Sequence, residues 1–434
     1  MDIPDVHYAR ADGVAIAYQV AGDGPRTLVF APLLSDLQSL WVAPYSRPFL
    51  ERLASEARLV VFDARGTGLS DRPRGVTLEA RMEDISAVLD AVGSSRASLL
   101  GFSASANVCA FFAATYPERC ERLVLARPWR GLRSERNPIG EEQEAYLAWI
   151  GEIRERFGER AFMQAWAEDL DPSLVASSDA LEWFVWQRRA AVSPSAVVDW
   201  ARWSMDTDIT DVLGAIRTPT LVVHLKRDRD VAERLRALVR DAAIMEVPSA
   251  FSDVAADAIL EFISESTPPD VPDSVLATVL FTDLVGSTER AAALGDRQWR
   301  ELLERHYRDV RRELARFRGE EIDTAGDGFF CRFDGPARAM ACARAIVEGA
   351  REHDLKVRSG IHTGECELVG DKIAGIAVMT GARISSLAAP GEVLVSSTVK
   401  DLVAGSGFSF DERGEHELKG VPGTWRLYAV AGAQ

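Results

Sequence analysis

The sequence predicts a two-domain protein: a doubly wound, mostly parallel α/β sheet, then a smaller α+β unit in βαββαβ order. Three observations carry this. Short apolar runs alternate with helix-compatible stretches between residues 27 and 225. A proline-rich seam, ESTPPDVPDS at 265–274, then interrupts the pattern and suits an extended linker. Beyond it, long charged amphipathic stretches separate strands closed by glycine turns.

In chain order, the strands of the first half are TLVFAP (27–32), RLVVFDA (58–64), ASLLGFS (97–103), RLVLA (122–126) and TLVVHL (220–225). Such apolar runs are expected of strands covered on both faces. In the second half the strands are ATVLFTDL (277–284), EEIDTAG (320–326), GFFCRF (328–333), KVRSGIHTGE (356–365) and GEVLVSS (391–397). ERAAALGDRQWRELLERHYRDVRRELARF (289–317) and PARAMACARAIVEGAREHD (336–354) read as long helices. The expected boundaries are 1–266 for the first domain, 267–275 for the linker and 276–434 for the second domain.

The chain has 434 residues, 47% of them hydrophobic, enough for two or three cored domains. Its net charge of −16 argues against a nucleic-acid polymer or an anionic membrane as partner. A small nucleotide stays possible, because a metal ion can carry the positive charge. The five cysteines, 109, 120, 331, 342 and 366, form no CxxC pair and read as reduced, buried thiols of a cytoplasmic protein. No signal peptide and no membrane-spanning run is expected.

GFSAS (101–105) follows an apolar strand and precedes a helix-compatible run, which is the nucleophile-elbow arrangement with Ser105 in the place of the usual glycine. With FDARGTGLSDRP (62–73), it resembles the α/β-hydrolase family. The resemblance implies an α/β-hydrolase fold with a helical lid at about 130–210, and a Ser-acid-His triad in that order. Ser103 matches the nucleophile and Asp228, in HLKRDRDV, the acid. The segment MEVPSAFSD (245–253), where the base belongs, contains no histidine. His224 precedes the acid on its own strand; the remaining histidines, 7, 306, 353, 362 and 416, lie at the N-terminus or beyond the seam. Loss of the base costs a triad enzyme on the order of 10⁶ in turnover. The domain is therefore expected to be a degenerate, non-catalytic regulator, with esterase chemistry at Ser103 as the alternative. Seven of the ten tryptophans, 129, 149, 166, 183, 186, 200 and 203, fall in the lid region. They suit lid packing, or a pocket for a small apolar ligand.

In the second half, EIDTAGDGFF (321–330) reads as two strands joined by a tight turn that holds Asp327 at a hairpin tip. By strand alternation Asp323 is expected to point the same way. ATVLFTDLVGSTE (277–289) ends a strand at Asp283 and opens a helix at Gly286, Ser287 and Thr288, whose backbone N–H groups suit phosphate oxygens. Two carboxylates beside a phosphate cradle are what a pair of Mg²⁺ ions needs.

The segments FTDLVGST, TAGDGFF, VRSGIHTGE, GIAVMTGARI and HELKGVPG resemble the class III adenylyl/guanylyl cyclase catalytic domain. A hydrolase-like domain ahead of such a cyclase resembles an arrangement of mycobacterial adenylyl cyclases. The resemblance implies a ferredoxin-like core and conversion of a nucleoside triphosphate to the 3′,5′-cyclic nucleotide and pyrophosphate. It implies two Mg²⁺ or Mn²⁺ ions held by Asp283, Asp327 and the Leu284 carbonyl. Arg358 would contact phosphate, Arg383 would stabilise charge on the α-phosphate, and Lys419 would grip the terminal phosphates. A head-to-tail homodimer with shared sites is implied, since metal ligands and Arg358 come from one chain and Arg383, Lys419 and the base-reading residues from the other.

The base-reading pair departs from the family. Adenylyl cyclases carry lysine where this chain has Asp323, and aspartate where it has Lys372. Lysine occurs only at 226, 356, 372, 400 and 419, so Lys372 is not a product of composition. Met379 replaces the ribose-orienting asparagine and offers no strong hydrogen bond. The exchanged pair leaves three expectations open: ATP, GTP read through an acid at position 323, or a weak or inactive nucleotide-binding regulator.

Overall fold

The computed structural model describes residues 2–32, 34, 36–73, 75–128, 141–265, 273–370, 372–403 and 405–431. Trp129, the first part of the lid (130–140) and the linker up to 272 lie outside the described residues. Two compact units emerge, one dominated by residues before 272 and the other by residues from 272 onward.

The sheet of the first unit contains β1 (His7–Ala11), β2 (Val14–Ala21), β3 (Thr27–Ala31), β4 (Arg58–Phe62), β5 (Ala97–Phe102), β6 (Cys120–Ala126), β7 (Thr220–His224) and β8 (Ala243–Glu246). Its strand order is β1-β2-β4-β3-β5-β6-β7-β8. The strands from β4 through β8 pair in parallel, and β1 and β2 add an antiparallel edge. That edge has no counterpart among the expected strands: β1 reads HYARA and is mostly exposed, whereas β2 reads VAIAYQVA and is largely buried. β5 is buried at every position, which is why its sequence is continuously apolar.

Between β6 and β7 lie the helices Glu141–Arg156, Arg160–Leu170, Ser178–Ala191 and Pro194–Asp206. Several of their tryptophans are used in packing, whereas Trp186 is 52% exposed. Trp166 meets Trp149 and Phe184 edge-on, at ring distances of 5.6 and 5.9 Å. The buried guanidinium of Arg81 packs against both Trp200 and Trp203, its carbon 4.3 and 4.4 Å from the two ring centroids, and the two indoles meet edge-on at 5.0 Å. This stacking offsets part of the cost of burying a cation.

Asp63, just past β4, ties the neighbouring loops together. Its carboxylate accepts from the backbone N–H groups of Leu69 at 2.8 Å and Leu37 at 3.4 Å. Burial pushes its pKa up to about 7. The folded state thus binds this proton more tightly than the unfolded chain, whose Asp titrates near 3.9. The contribution to stability is present at acid pH and is lost as pH rises toward 7. Asp63→Asn is expected to flatten this slope: in urea denaturation, wild type should lose roughly 2 kcal/mol more than the variant between pH 5 and pH 7.

The second unit contains β9 (Ser274–Leu284), β10 (Glu320–Ala325), β11 (Gly328–Phe333), β12 (Val357–Val369), β13 (Lys372–Ala374), β14 (Val393–Ser396), β15 (Phe410–Glu417) and β16 (Thr424–Val430). The strand order is β10-β11-β9-β12-β14-β16-β15, with β13 paired to β12. The run β10-β11-β9-β12 is the order that a βαββαβ ferredoxin-like unit produces. The helix read as continuous from 289 is two helices, Ser287–Leu294 and Asp296–Arg316. Gly295 separates them in a conformation, φ 76° and ψ 157°, that no helix can carry.

The helix Ile376–Leu387 lies close on β12. A Cβ on Gly360 would sit 2.1 Å from the Ser385 nitrogen, so only glycine allows this approach. The packing fixes the helix that carries Met379 and Arg383.

Candidate active site

The β10–β11 hairpin closes through Gly326 and Asp327, with Ala325 opposite Gly328. Gly326 has φ +62°, the left-handed conformation that lets a two-residue loop follow the strand twist. Asp327 therefore sits in the loop, past the end of β10, and strand alternation does not extend to it. A register shift between Glu321 and Asp323 breaks the alternation once more. The expected common direction of Asp323 and Asp327 gives way to two distinct environments. Asp323 is exposed and pairs with Lys372 at 3.6 Å. Asp327 carries a buried oxygen, Oδ2, with no hydrogen-bond partner.

β11 pairs antiparallel with β9, Phe329 opposite Thr282, so the next residue of β9, Asp283, lies beside the hairpin tip. On its other side, β12 sets Arg358 directly opposite Asp283. The guanidinium donates through Nε at 3.0 Å, and also through Nη2, to one carboxylate oxygen of Asp283. Leu284 ends the strand and is buried. Gly286 follows at φ +71° and opens the helix Ser287–Leu294, which has no side-chain cap. The first N–H groups of that helix, at Ser287 and Thr288, have no intrahelical partner.

Arg383 and Lys419 form a second group. Arg383 Nε donates to the Lys419 carbonyl at 2.9 Å, which fixes the loop after β15 to the helix Ile376–Leu387. Met379 lies on the same helix, one turn earlier, and is 47% exposed.

Among the described residues, no group of three or more His, Cys, Asp or Glu side chains could hold a metal. The donor set around β9 nevertheless fits Mg²⁺, which keeps several waters and takes one or two carboxylates plus substrate phosphates. The partnerless Asp327 Oδ2 is the observation that favours the fit, because a buried carboxylate oxygen without a counter-charge is costly.

Residues 272–432 match the family model of the adenylate and guanylate cyclase catalytic domain. The second half is a class III cyclase domain. Residues 38–229, ahead of it, match the model of the α/β hydrolase fold. A Rhizobium meliloti protein named "Putative adenylate cyclase 3" is 28% identical over 156 residues, 34% of this chain and 26% of that one. A second Rhizobium meliloti protein, R02095, is 27% identical over 179 residues, 36% of this chain and 17% of its own length. The chain thus spans only a minor part of either relative. An esterase from Exiguobacterium antarcticum shares the hydrolase fold at 19% identity and a TM-score of 0.51, covering 59% of this chain and 99% of its own.

The cyclase domain is preceded by a hydrolase elbow that keeps its backbone geometry. Ser103 is buried with φ +55°, a strained conformation for a non-glycine residue. Ser105 fits the usual glycine position and donates to the Pro32 carbonyl at 3.3 Å. The residue at the expected acid position has another partner. Buried Asp228 faces the guanidinium of Arg127 at 3.6 Å, and Arg127 also donates to the Asp169 carbonyl at the end of the helix Arg160–Leu170. Arg127 was not legible in the sequence as a partner of Asp228, since the two lie a hundred residues apart. After β8, the loop expected to carry the base delivers Phe251 instead, whose ring packs 5.0 Å from Phe102, the neighbour of Ser103. His224 is buried on β7, with Nδ1 3.0 Å from the Leu225 carbonyl. One cavity beside this elbow helix among the described residues, lined by Ala106, Asn107, Leu125 and Leu213 among others, has a volume of about 10 Å³, room for no more than a water. No ester hydrolysis is expected: p-nitrophenyl acetate turnover by full-length protein should equal that of Ser103→Ala. A rate removed by that substitution would restore the catalytic reading of the elbow.

No described helix is long and apolar enough to cross a membrane.

Proposed function

We propose that the protein is a class III nucleotide cyclase acting on a purine nucleoside triphosphate, ATP first and GTP next, in a homodimer with shared sites. The degenerate hydrolase domain acts as its regulator. The observation that carries the reading is the meeting of Asp283 and Asp327 at adjoining strand ends, with one Asp327 oxygen buried and partnerless.

Asp283, Asp327 and the Leu284 carbonyl would hold two Mg²⁺ or Mn²⁺ ions, which supply charge neutralisation and a lowered pKa for the ribose 3′-OH. The backbone N–H groups at Ser287 and Thr288 face phosphate oxygens, and Arg358 adds a guanidinium fork. The 3′-hydroxyl gives its proton to solvent, its oxygen bonds to the α-phosphorus, the bond from that phosphorus to the bridging oxygen breaks, and pyrophosphate leaves. Arg383 stabilises the charge that builds on the α-phosphate. Lys419 holds the terminal phosphates, and its carbonyl keeps Arg383 in position.

Lys372 and Asp323 present a donor and an acceptor side by side. That combination complements the adenine edge, with Lys372 on N1 and Asp323 on the 6-amino group. It also complements guanine, with Asp323 on N1–H and the 2-amino group and Lys372 on O6. The dimer is supported by exposed apolar side chains beside this pair. Val369, Ile376 and Met379 are 59%, 55% and 47% exposed.

The test uses full-length protein with Mn²⁺ or Mg²⁺, offered ATP, GTP, CTP and UTP separately. Cyclic products are identified by mass spectrometry, with Asp283→Ala as control. A single cyclic product absent from the control is expected. No product from any nucleotide, with the dimer intact, would make the protein a nucleotide-binding regulator.

A further inference from the structure

The two metal aspartates are not equivalent. Asp327 has a buried oxygen with no partner. Asp283 is already engaged: Arg358, opposite it in the β9–β12 register, places Nε and Nη2 on the same oxygen. The third donor group, Nη1, reaches the Ser386 carbonyl at 3.3 Å, so the guanidinium is anchored at both ends. Both side chains are only about one-third exposed, 32% and 35%, where a charge pair is less screened than at the open surface.

We infer that Arg358 is a positioning residue with two alternative partners: it neutralises Asp283 until a polyphosphate draws it away, and so couples metal binding to nucleotide binding. The inference rests on the cyclase reading above. A guanidinium in contact with a carboxylate opposes a dication at that carboxylate, since the two cations would stand only a few ångströms apart. A triphosphate offers the fork paired oxygens for bidentate hydrogen bonds and more negative charge than a single carboxylate. Once Arg358 moves to phosphate, Asp283 regains its full charge. Metal and triphosphate then favour one another, and the coupling is reciprocal. A metal ion alone meets one open aspartate and one closed one.

The experiment titrates full-length protein with Mn²⁺ alone, reading free Mn²⁺ by electron paramagnetic resonance. Arg358→Gln is expected to tighten Mn²⁺ binding about tenfold while abolishing cyclisation, because removing a unit charge a few ångströms away is worth at least that factor. Asp283→Asn added to Arg358→Gln should cancel the gain. Arg358→Lys keeps the charge without the fork, should give a gain of about threefold, and decides the matter if the glutamine variant does not fold. Unchanged or weaker Mn²⁺ binding in both variants would overturn the inference and leave Arg358 as a plain orienting group. Mn²⁺ binding that ignores Asp283→Asn in every background would instead remove Asp283 from the metal site, and the cyclase reading with it.

Discussion

Asp327→Asn is expected to lower cyclic-nucleotide formation by about 10³ or more, since metal-borne charge stabilisation is worth several kcal/mol and each 1.4 kcal/mol is tenfold in rate. The fold should not suffer. The Oδ2 that loses its charge is buried without a hydrogen-bond partner, so the carboxylate is a cost to the folded chain in the absence of a cation. Stability equal to or above wild type, together with lost turnover, is the paired outcome that marks a residue kept for chemistry rather than for packing. Product measured by mass spectrometry and a urea midpoint on the same preparation check both halves. Activity within tenfold of wild type would take Asp327 out of the metal site.

The second large effect concerns the base. Reversing Asp323 and Lys372 together, as Asp323→Lys with Lys372→Asp, is expected to change the ATP-to-GTP ratio of kcat/KM by at least about 10², because a site built on hydrogen bonds can discriminate by 10⁴ or more. Each single reversal places like charges together and should depress turnover with both nucleotides. Stability should hardly respond, since the pair is 62% and 60% exposed and such pairs are worth at most about 1 kcal/mol. A ratio that stays within about threefold would show that the pair never touches the base.

Much of the fold could be read directly. The runs at 58–64, 97–103 and 220–225 became β4, β5 and β7 because a strand buried on both faces has nowhere to put a polar residue. β1 escaped because its mostly exposed side chains carry no such signature. The placement of Ser103, Asp228, Asp283 and Asp327 at turns and strand ends could be read because each belongs to a local motif of turn and strand. The environment of each could not be picked out. The Asp228–Arg127 and Asp283–Arg358 pairs join residues 101 and 75 positions apart in the chain, and only sheet register brings them together. The unlike surroundings of Asp323 and Asp327 follow from a register shift and a two-residue loop, neither of which alternation can foresee.

The packed lid has an optical consequence. Tryptophans 41, 129, 149, 166, 183, 186, 200 and 203 belong to the hydrolase half, and only Trp299 and Trp425 to the cyclase half. The ultraviolet emission of the protein is therefore dominated by a region that holds none of the residues proposed to handle nucleotide. Trp425 lies 5.2 Å from the ring of His362, a neutral imidazole whose pKa burial lowers to about 4, so its own emission should be steady with pH above 5. A pH-dependent change in emission above pH 5 would then originate elsewhere than Trp425.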